Sequence, residues 1–463
     1  MMLLKACHCC ILAAAALAFT VHAAGAHTLR VGTCVVRQQT FTTIQSAVDA
    51  ASDGDAIAIC PGTYPEQVSV TKSIALRGVR GMDAPQVVVP AGGLVQNTTM
   101  TNAMATAAQI LVDPATPGTA NISGLVVDAA DNNNTDCNLE LVGIYYKNAG
   151  GTIKRNTVKN QIGPSGYQNC RNGVGILVEN ATVGTDSVTI ESNSVSNFDK
   201  NGIVMLLPGS VGTIARNTVT GIGPTTILAQ NGIELAYGAT ANVVLNTVSD
   251  LLYTPETFGS SGIIIYDVPS TLYQSPPVVQ RNTISNAQFG IAVDGANGVS
   301  GNMIQVFANT ISNVEWAGVG IYSETGVTPA VNGDFINVVN NKITTTTIYD
   351  GIDVCGDNNT ISKNTVTDSS TESAIHLDAL CEQANGDASG TSNTVSNNRV
   401  TTACVGILSG PPRGQNTIGP NNITDATHRT LFGSDDFACG PAHARQKHNK
   451  ARGKSGLPVA LSP

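Results

Sequence analysis

TIARNTV at residues 213–219 and NGIELAY at 231–237 decide the fold of this chain, because both recur along it. The first element reads apolar, two residues, Asn, one residue, apolar. Its other copies are TIKRNTV (152–158), TIESNSV (189–195), NVVLNTV (242–248), VVQRNTI (278–284), QVFANTI (305–311), NVVNNKI (337–343) and TISKNTV (360–366), with TVSNNRV (394–400) and later copies following. The second element opens on Gly and Ile and then alternates: VGIYYKN (142–148), VGILVEN (174–180), NGIVMLL (201–207), SGIIIYD (261–267), FGIAVDG (289–295), VGIYSET (319–325), DGIDVCG (350–356) and the variant SAIHLDA (373–379). Successive copies of the second element start 23 to 32 residues apart. Such a period means stacked units, each burying its apolar side against its neighbours. Within a unit the segments are short, β-branched and of period two, bounded by Gly, Asn, Ser and Pro. Aromatics make up only 4% of the chain, too few for a sandwich core, whereas stacked Val and Ile suit narrow coils. A propeller would bring longer blades with periodic aromatic signatures. The expected fold is all-β, a single-stranded right-handed parallel β-helix.

The Asn of the first element has a physical reason. A coil must bend sharply between strands, and Asn tolerates left-handed backbone angles better than most residues. Amides stacked at one corner can also bond to each other along the axis. Asn156, Asn193, Asn217, Asn246, Asn282, Asn309, Asn341 and Asn364 form the expected ladder, a structural one. Near the N-terminus, Ile44, Ala47, Val48 and Ala51 lie at i, i+3, i+4 and i+7, one face of a short helix. That helix is expected to cap the open end of the first coil.

These elements resemble the parallel β-helix repeats of the pectin-lyase-like superfamily, and those of the periplasmic NosD-like accessory proteins of nitrous oxide reductase. The resemblance runs from about residue 41 to about 424. The stretch TFTTIQSAVDAASDGDAIAICPGTYPEQVSVTKSIALRG (40–78) is similar to the opening segment of pectin methylesterases. The resemblance implies a protein that interacts with polysaccharide. The catalytic signatures of particular families are absent: neither the Gly-His-Gly motif of polygalacturonases, nor the Leu-Gly-Arg-Pro-Trp motif of pectin methylesterases, nor the Asp-Pro-His-Asp run of alginate epimerases is present.

Residues 1–26 read as a signal peptide: Lys5, an apolar run from Ile11 to Val21, and small residues at Ala24-Gly25-Ala26. A β-helix domain over 27–439 and a basic disordered tail over 440–463 follow. Cys7, Cys9 and Cys10 leave with the signal, so eight cysteines remain. An even count in an exported chain points to disulfides, for which pairing in order gives 34–60, 137–170, 355–381 and 404–439. With Lys5 and the five basic residues of the tail set aside, 18 Lys and Arg face 33 Asp and Glu, a body of about −15. So acidic a body repels nucleic acid and anionic membranes. The expectation is a secreted monomer with neither as partner. No motif calls for a metal or cofactor, and a bound calcium is left without support.

A β-helix stacks equivalent positions about 4.8 Å apart, so residues remote in sequence share a column. Aligned on Gly-Ile, the Ile and the residue two later face inward. The intervening positions then form two outward columns, expected to face solvent. One reads Tyr145, Leu177, Val204, Glu234, Ile264, Ala292, Tyr322, Asp353, His376. The other reads Lys147, Glu179, Leu206, Ala236, Tyr266, Asp294, Glu324, Cys355, Asp378. Asp353, His376 and Asp378 are the candidate catalytic residues, since close carboxylates shift one another's pKa and a His moves protons near neutral pH. Tyr266, Asp294, Tyr322 and Glu324 are the candidate substrate-binding residues, Tyr rings stacking on sugar faces. The reading is an exported glycan-binding protein, or a lyase, hydrolase or epimerase. Its alternatives are a non-catalytic surface or structural repeat protein and a NosD-like accessory role.

Overall fold

The structure is a computed structural model and describes residues 26–34, 40–115, 118–165, 168, 170, 172–184, 187–254, 258–323, 331–345, 349–368, 372–380, 389–402, 404–435, 437 and 439. The assigned signal peptide up to residue 25, the basic tail, Cys381 and Glu324 lie outside them.

The chain winds as the expected parallel β-helix with three walls. In each coil the Ile or Val of the first element lies in the first wall and the Thr-Val or Thr-Ile after the Asn in the second. The Gly-Ile element lies in the third. The first wall runs unbroken over 14 strands, from Thr28–Val31 to Thr417–Ile418. Every pairing along it is parallel and without slip, as in Ile153 to Ile190 to Ile214 to Val243. One residue from each wall, such as Ile153, Val158 and Ile176, faces the axis and is fully buried in one continuous apolar core. A one-residue slip would turn that set outward, which fixes the register.

The corner between the first two walls holds the Asn ladder, which extends past the eight expected residues to Asn398 and Asn421. Each Asn up to Asn398 gives its backbone N–H to the side-chain carbonyl of its counterpart one coil on, at 2.9 Å for Asn217 to Asn246. Its amide NH2 bonds the same oxygen and a backbone carbonyl one coil back, Ile190 for Asn217. The left-handed bend itself falls one position earlier than expected. Arg155, Ser192, Arg216, Leu245, Arg281, Ala308, Asn340, Lys363 and Asn397, each just before a ladder Asn, have φ near +55°. The ladder Asn is buried to hold the amides in line, so its exposed neighbour makes the turn.

The helix at Ile44–Ala50 buries Ile44, Ala47 and Val48 against the core. Thr43 caps its start, Glu66 takes the N–H groups of Ile44 and Gln45 at 2.8 and 2.9 Å, and the Lys72 ammonium bonds the carbonyls of Val48, Asp49 and Ala51 at its end. Charges of these signs complement the helix dipole. Disulfides join Cys34 to Cys60, Cys137 to Cys170 and Cys404 to Cys439. Cys355 is disulfide-bonded as well. No described helix is long and apolar enough to cross a membrane.

Candidate functional site

The third wall brings the sequence-derived candidates together with two corrections. Register sets Glu234 beside Ile264, Ile264 beside Ala292, Ala292 beside Gly320, Gly320 beside Asp353 and Asp353 beside His376. Position 320 in this column is thus Gly, and Tyr322 belongs to the second column, where Tyr266 pairs with Asp294 and Asp294 with Tyr322. The cause is a doubled glycine: Gly318 occupies the corner that the sequence alignment gave to Gly320. At that corner a Cβ would sit 2.3 Å from a methyl of Ile343 and 2.8 Å from the carbonyl of Gly351, so only glycine fits. Tyr322 still meets Asp353, because its ring folds back over Gly320 and its hydroxyl donates to Asp353 Oδ2 at 3.0 Å.

The second correction concerns exposure. These outward positions do not face solvent. His376 is 2% exposed, Asp353 3% and Asp378 0%, and Asp294 and Tyr322 are also buried. His376 Nδ1 lies 3.2 Å from Asp350 Oδ2 and 3.7 Å from Asp353 Oδ1, and its Nε2 lies 3.5 Å from Asp435 Oδ1. Asp350 is held in turn by the Ser373 hydroxyl at 2.5 Å and backbone N–H at 3.2 Å, and Asp435 accepts from the Ala379 N–H at 2.8 Å. Burial alone would lower the His376 pKa, but Asp350, Asp435 and Asp353 outweigh it and push it up to about 10. At neutral pH the ring is therefore an imidazolium, able to donate a proton but not poised to accept one. Asp378 spends one oxygen on the Leu380 N–H at 2.7 Å, the turn that ends its strand.

An aromatic group adjoins these carboxylates. Phe289 stacks edge-on against Trp316 at 5.2 Å and Tyr322 at 5.7 Å, and Trp316 meets Tyr349 at 6.3 Å. Phe289, Tyr349 and Tyr266 keep part of their rings exposed. The buried Trp316 Nε1 finds no acceptor among the described residues. Sequence reasoning missed Asp350, Asp435, Phe289 and Trp316. Asp350, Phe289 and the residue before each corner Gly form a third column, legible once the corner is recognised. Asp435 comes from the non-repeating end of the chain and has no sequence signal. A cleft of 410 Å3 lined by Val88, Pro90, Asp128 and Asn133 lies on earlier coils, away from this group. Its Asp128 is neutralised by Lys159 at 3.1 Å.

Residues 142–336 match the family model described as "Right handed beta helix region". No curated protein matches the sequence. Among solved structures, the Dettilon tailspike protein is similar at TM-score 0.51 and 17% identity, over 85% of this chain and 66% of that one, just under two thirds. A GH136 lacto-N-biosidase from Eubacterium ramulus gives 0.50 and 10% identity over 88% and 68%. A tailspike protein mutant of E. coli bacteriophage HK620, in complex with pentasaccharide, gives 0.51 and 12% identity over 84% and 74%. The chain is a right-handed parallel β-helix.

Proposed function

We propose that this chain is an exported glycan-binding β-helix whose binding face is formed by the part-exposed rings of Tyr266, Phe289 and Tyr349 on the outer side of the third wall, backed by the buried Tyr322, Asp353 and His376. One observation carries the reading. The rings of Phe289, Trp316, Tyr322 and Tyr349 meet edge to face and are joined through the Tyr322 hydroxyl to Asp353. Aromatic faces beside fixed hydrogen-bonding groups are what a sugar requires, an apolar face with a polar rim. The face carries Asp294, Asp350, Asp353, Asp378 and Asp435 with His376 as counter-charge, which favours neutral sugars over uronates. The disulfides support export. The reading leaves out turnover by His376, because its charge is already satisfied by three carboxylates.

Trp316 is the sole tryptophan of the chain, so its fluorescence reports the site directly. Titration of purified protein with neutral oligosaccharides is expected to shift that emission saturably, with Y322F weakening the response and no new reducing ends or unsaturated products appearing. No shift with any glycan would sink the reading. Products that vanish in D353N would assign turnover to the carboxylates instead.

A further inference from the structure

The two nitrogens of the His376 ring meet different surroundings. Nδ1 lies 3.2 Å from Asp350 Oδ2, within hydrogen-bond reach, and Asp350 is itself fixed by the Ser373 hydroxyl. Nε2 makes no hydrogen bond among the described residues, although the ring is only 2% exposed. Asp435 Oδ1 stands 3.5 Å from it, an ion-pair contact. A ring nitrogen of His376 and one carboxylate oxygen each from Asp378 and Asp435 lie within 4.8 Å of one another. Two neighbouring triads are less suited to a metal. Asp350 and Asp353 face Nδ1, whose place is taken by the hydrogen bond to Asp350. Cys355, between Asp353 and Asp378, is disulfide-bonded and offers no thiolate.

The chain brings the three groups together from separate directions. His376 and Asp378 are two residues apart and so leave the wall on the same side. The Asp378 backbone is pinned, its N–H on the Val354 carbonyl at 2.9 Å and its carbonyl under the Ser389 hydroxyl at 2.7 Å. Asp435 arrives over Gly410, where a Cβ would stand 1.5 Å from its Oδ1, so only glycine leaves room for this carboxylate. Its Oδ1 also accepts from the Ala379 N–H at 2.8 Å, which orients it. The Asp435 side chain keeps 10% of its surface exposed and is the edge of the cluster that solvent reaches.

We infer that His376 Nε2, Asp378 and Asp435 form a site for a divalent first-row metal ion of the zinc class. Two donors held on one such ion at about 2.0–2.2 Å stand roughly 3–3.5 Å apart, and Nε2 and Asp435 Oδ1 have that separation. A set of imidazole and carboxylates suits zinc, whereas calcium takes oxygen alone. A metal-bound His usually gives its other N–H to a carboxylate, and Asp350 is in place to receive it from Nδ1. The ion takes the place of the Nε2 proton, which leaves to solvent, so the imidazolium belongs to the metal-free protein. Carboxylates that hold a single positive charge on the ring attract a double one more strongly. Three protein ligands leave a further position for water.

The test is zinc retention by the exported protein, purified without a polyhistidine tag, stripped with EDTA and dialysed against zinc chloride. One equivalent is expected to remain and to raise the melting temperature. Cobalt(II) in its place should give visible d–d bands that zinc bleaches and excess calcium does not. H376Q and D435N should each lose that equivalent and the bands. In D435N the amide oxygen can still accept from the Ala379 N–H, so its melting temperature in EDTA should stay near that of wild type, and it carries the test if H376Q fails to fold. No retained zinc would overturn the proposal. So would an equivalent that survives both substitutions, which would place the ion on other groups such as His443 and His448 near the chain end. Displacement of zinc by calcium would overturn it too, because the ring nitrogen would then have no part in binding.

Discussion

Tyr322 reaches Asp353 across the face of residue 320, and only a glycine there leaves room for its ring. A Cβ at 320 would stand 2.5 Å from a ring carbon and 2.6 Å from the hydroxyl. The substitution G320A should therefore displace Tyr322 and lower glycan affinity while leaving the coil's register intact, which titration and circular dichroism together would check. His376 invites a different measurement. Its pKa rises on folding from the ordinary 6.5 to about 10, so its contribution to stability is fully present below about pH 6.5. That contribution declines above this value and is gone once pH passes about 10. Urea midpoints of wild type and H376Q are expected to differ most near pH 6.5 and to converge toward pH 10. A difference constant across that interval would mean that the ring is not charged in the folded protein. From the sequence, Asp353 and His376 could be placed side by side, because both follow an unambiguous Gly-Ile or Ala-Ile pair. The burial of that pair could not, because alternation distinguishes the two faces of a strand without saying what covers the outer one.

At the scale of the element, the ladder and the corner glycine divide the work of turning the chain. The ladder Asn bonds across coils and the residue before it takes the left-handed angle, so even Arg, Leu and Lys stand at positive φ there while the ladder Asn does not. Asn309 shows what a single rung contributes. It accepts from the backbone N–H and amide of Asn282 at 2.9 and 3.0 Å and donates to the carbonyl of Val279 at 3.0 Å. N309A would leave the Asn282 N–H and the Val279 carbonyl buried and unmet, a loss of about 2–4 kcal/mol in chemical unfolding. The exposed Asn133, whose backbone is not left-handed, is the control, and N133A should cost less than about 0.5 kcal/mol. Equal effects would remove burial as the reason the ladder matters. The eight ladder residues were readable in the sequence because their spacing repeats. The exchange of roles between Asn and its predecessor was not, because both residues sit at the same corner and composition does not separate a bent backbone from a bonded side chain.

At the scale of the molecule, 14 strands in the first wall give an axis of about 62 Å at the usual interstrand spacing. In such a stack each coil is held by its neighbours, so the last one depends most on what closes it. The disulfide from Cys404 to Cys439 ties the chain end back onto the final coils, and the same segment delivers Asp435 to His376. Replacing both cysteines with Ser should therefore do two things at once. It should lower stability by about 2–4 kcal/mol, and it should move the His376 imidazole resonance toward titration at lower pH as Asp435 withdraws. Loss of stability with an unchanged imidazole would uncouple the closing segment from the cluster.

The solenoid, the inward Ile and Val, the Asn ladder and the capping helix were legible from the amino-acid order alone, whereas the in-order cysteine pairing was one of several an even count allows, and the structure shows it for 34–60, 137–170 and 404–439. Each of the legible features is a short-range pattern or a repeat, and repetition converts a weak local signal into register. It took the folded chain to show that the outer face of the third wall is largely buried and that Asp350 and Asp435 join Asp353 around a charged His376. Those facts depend on how far each loop folds back over the wall and where the non-repeating end of the chain lies, and neither is a periodic property.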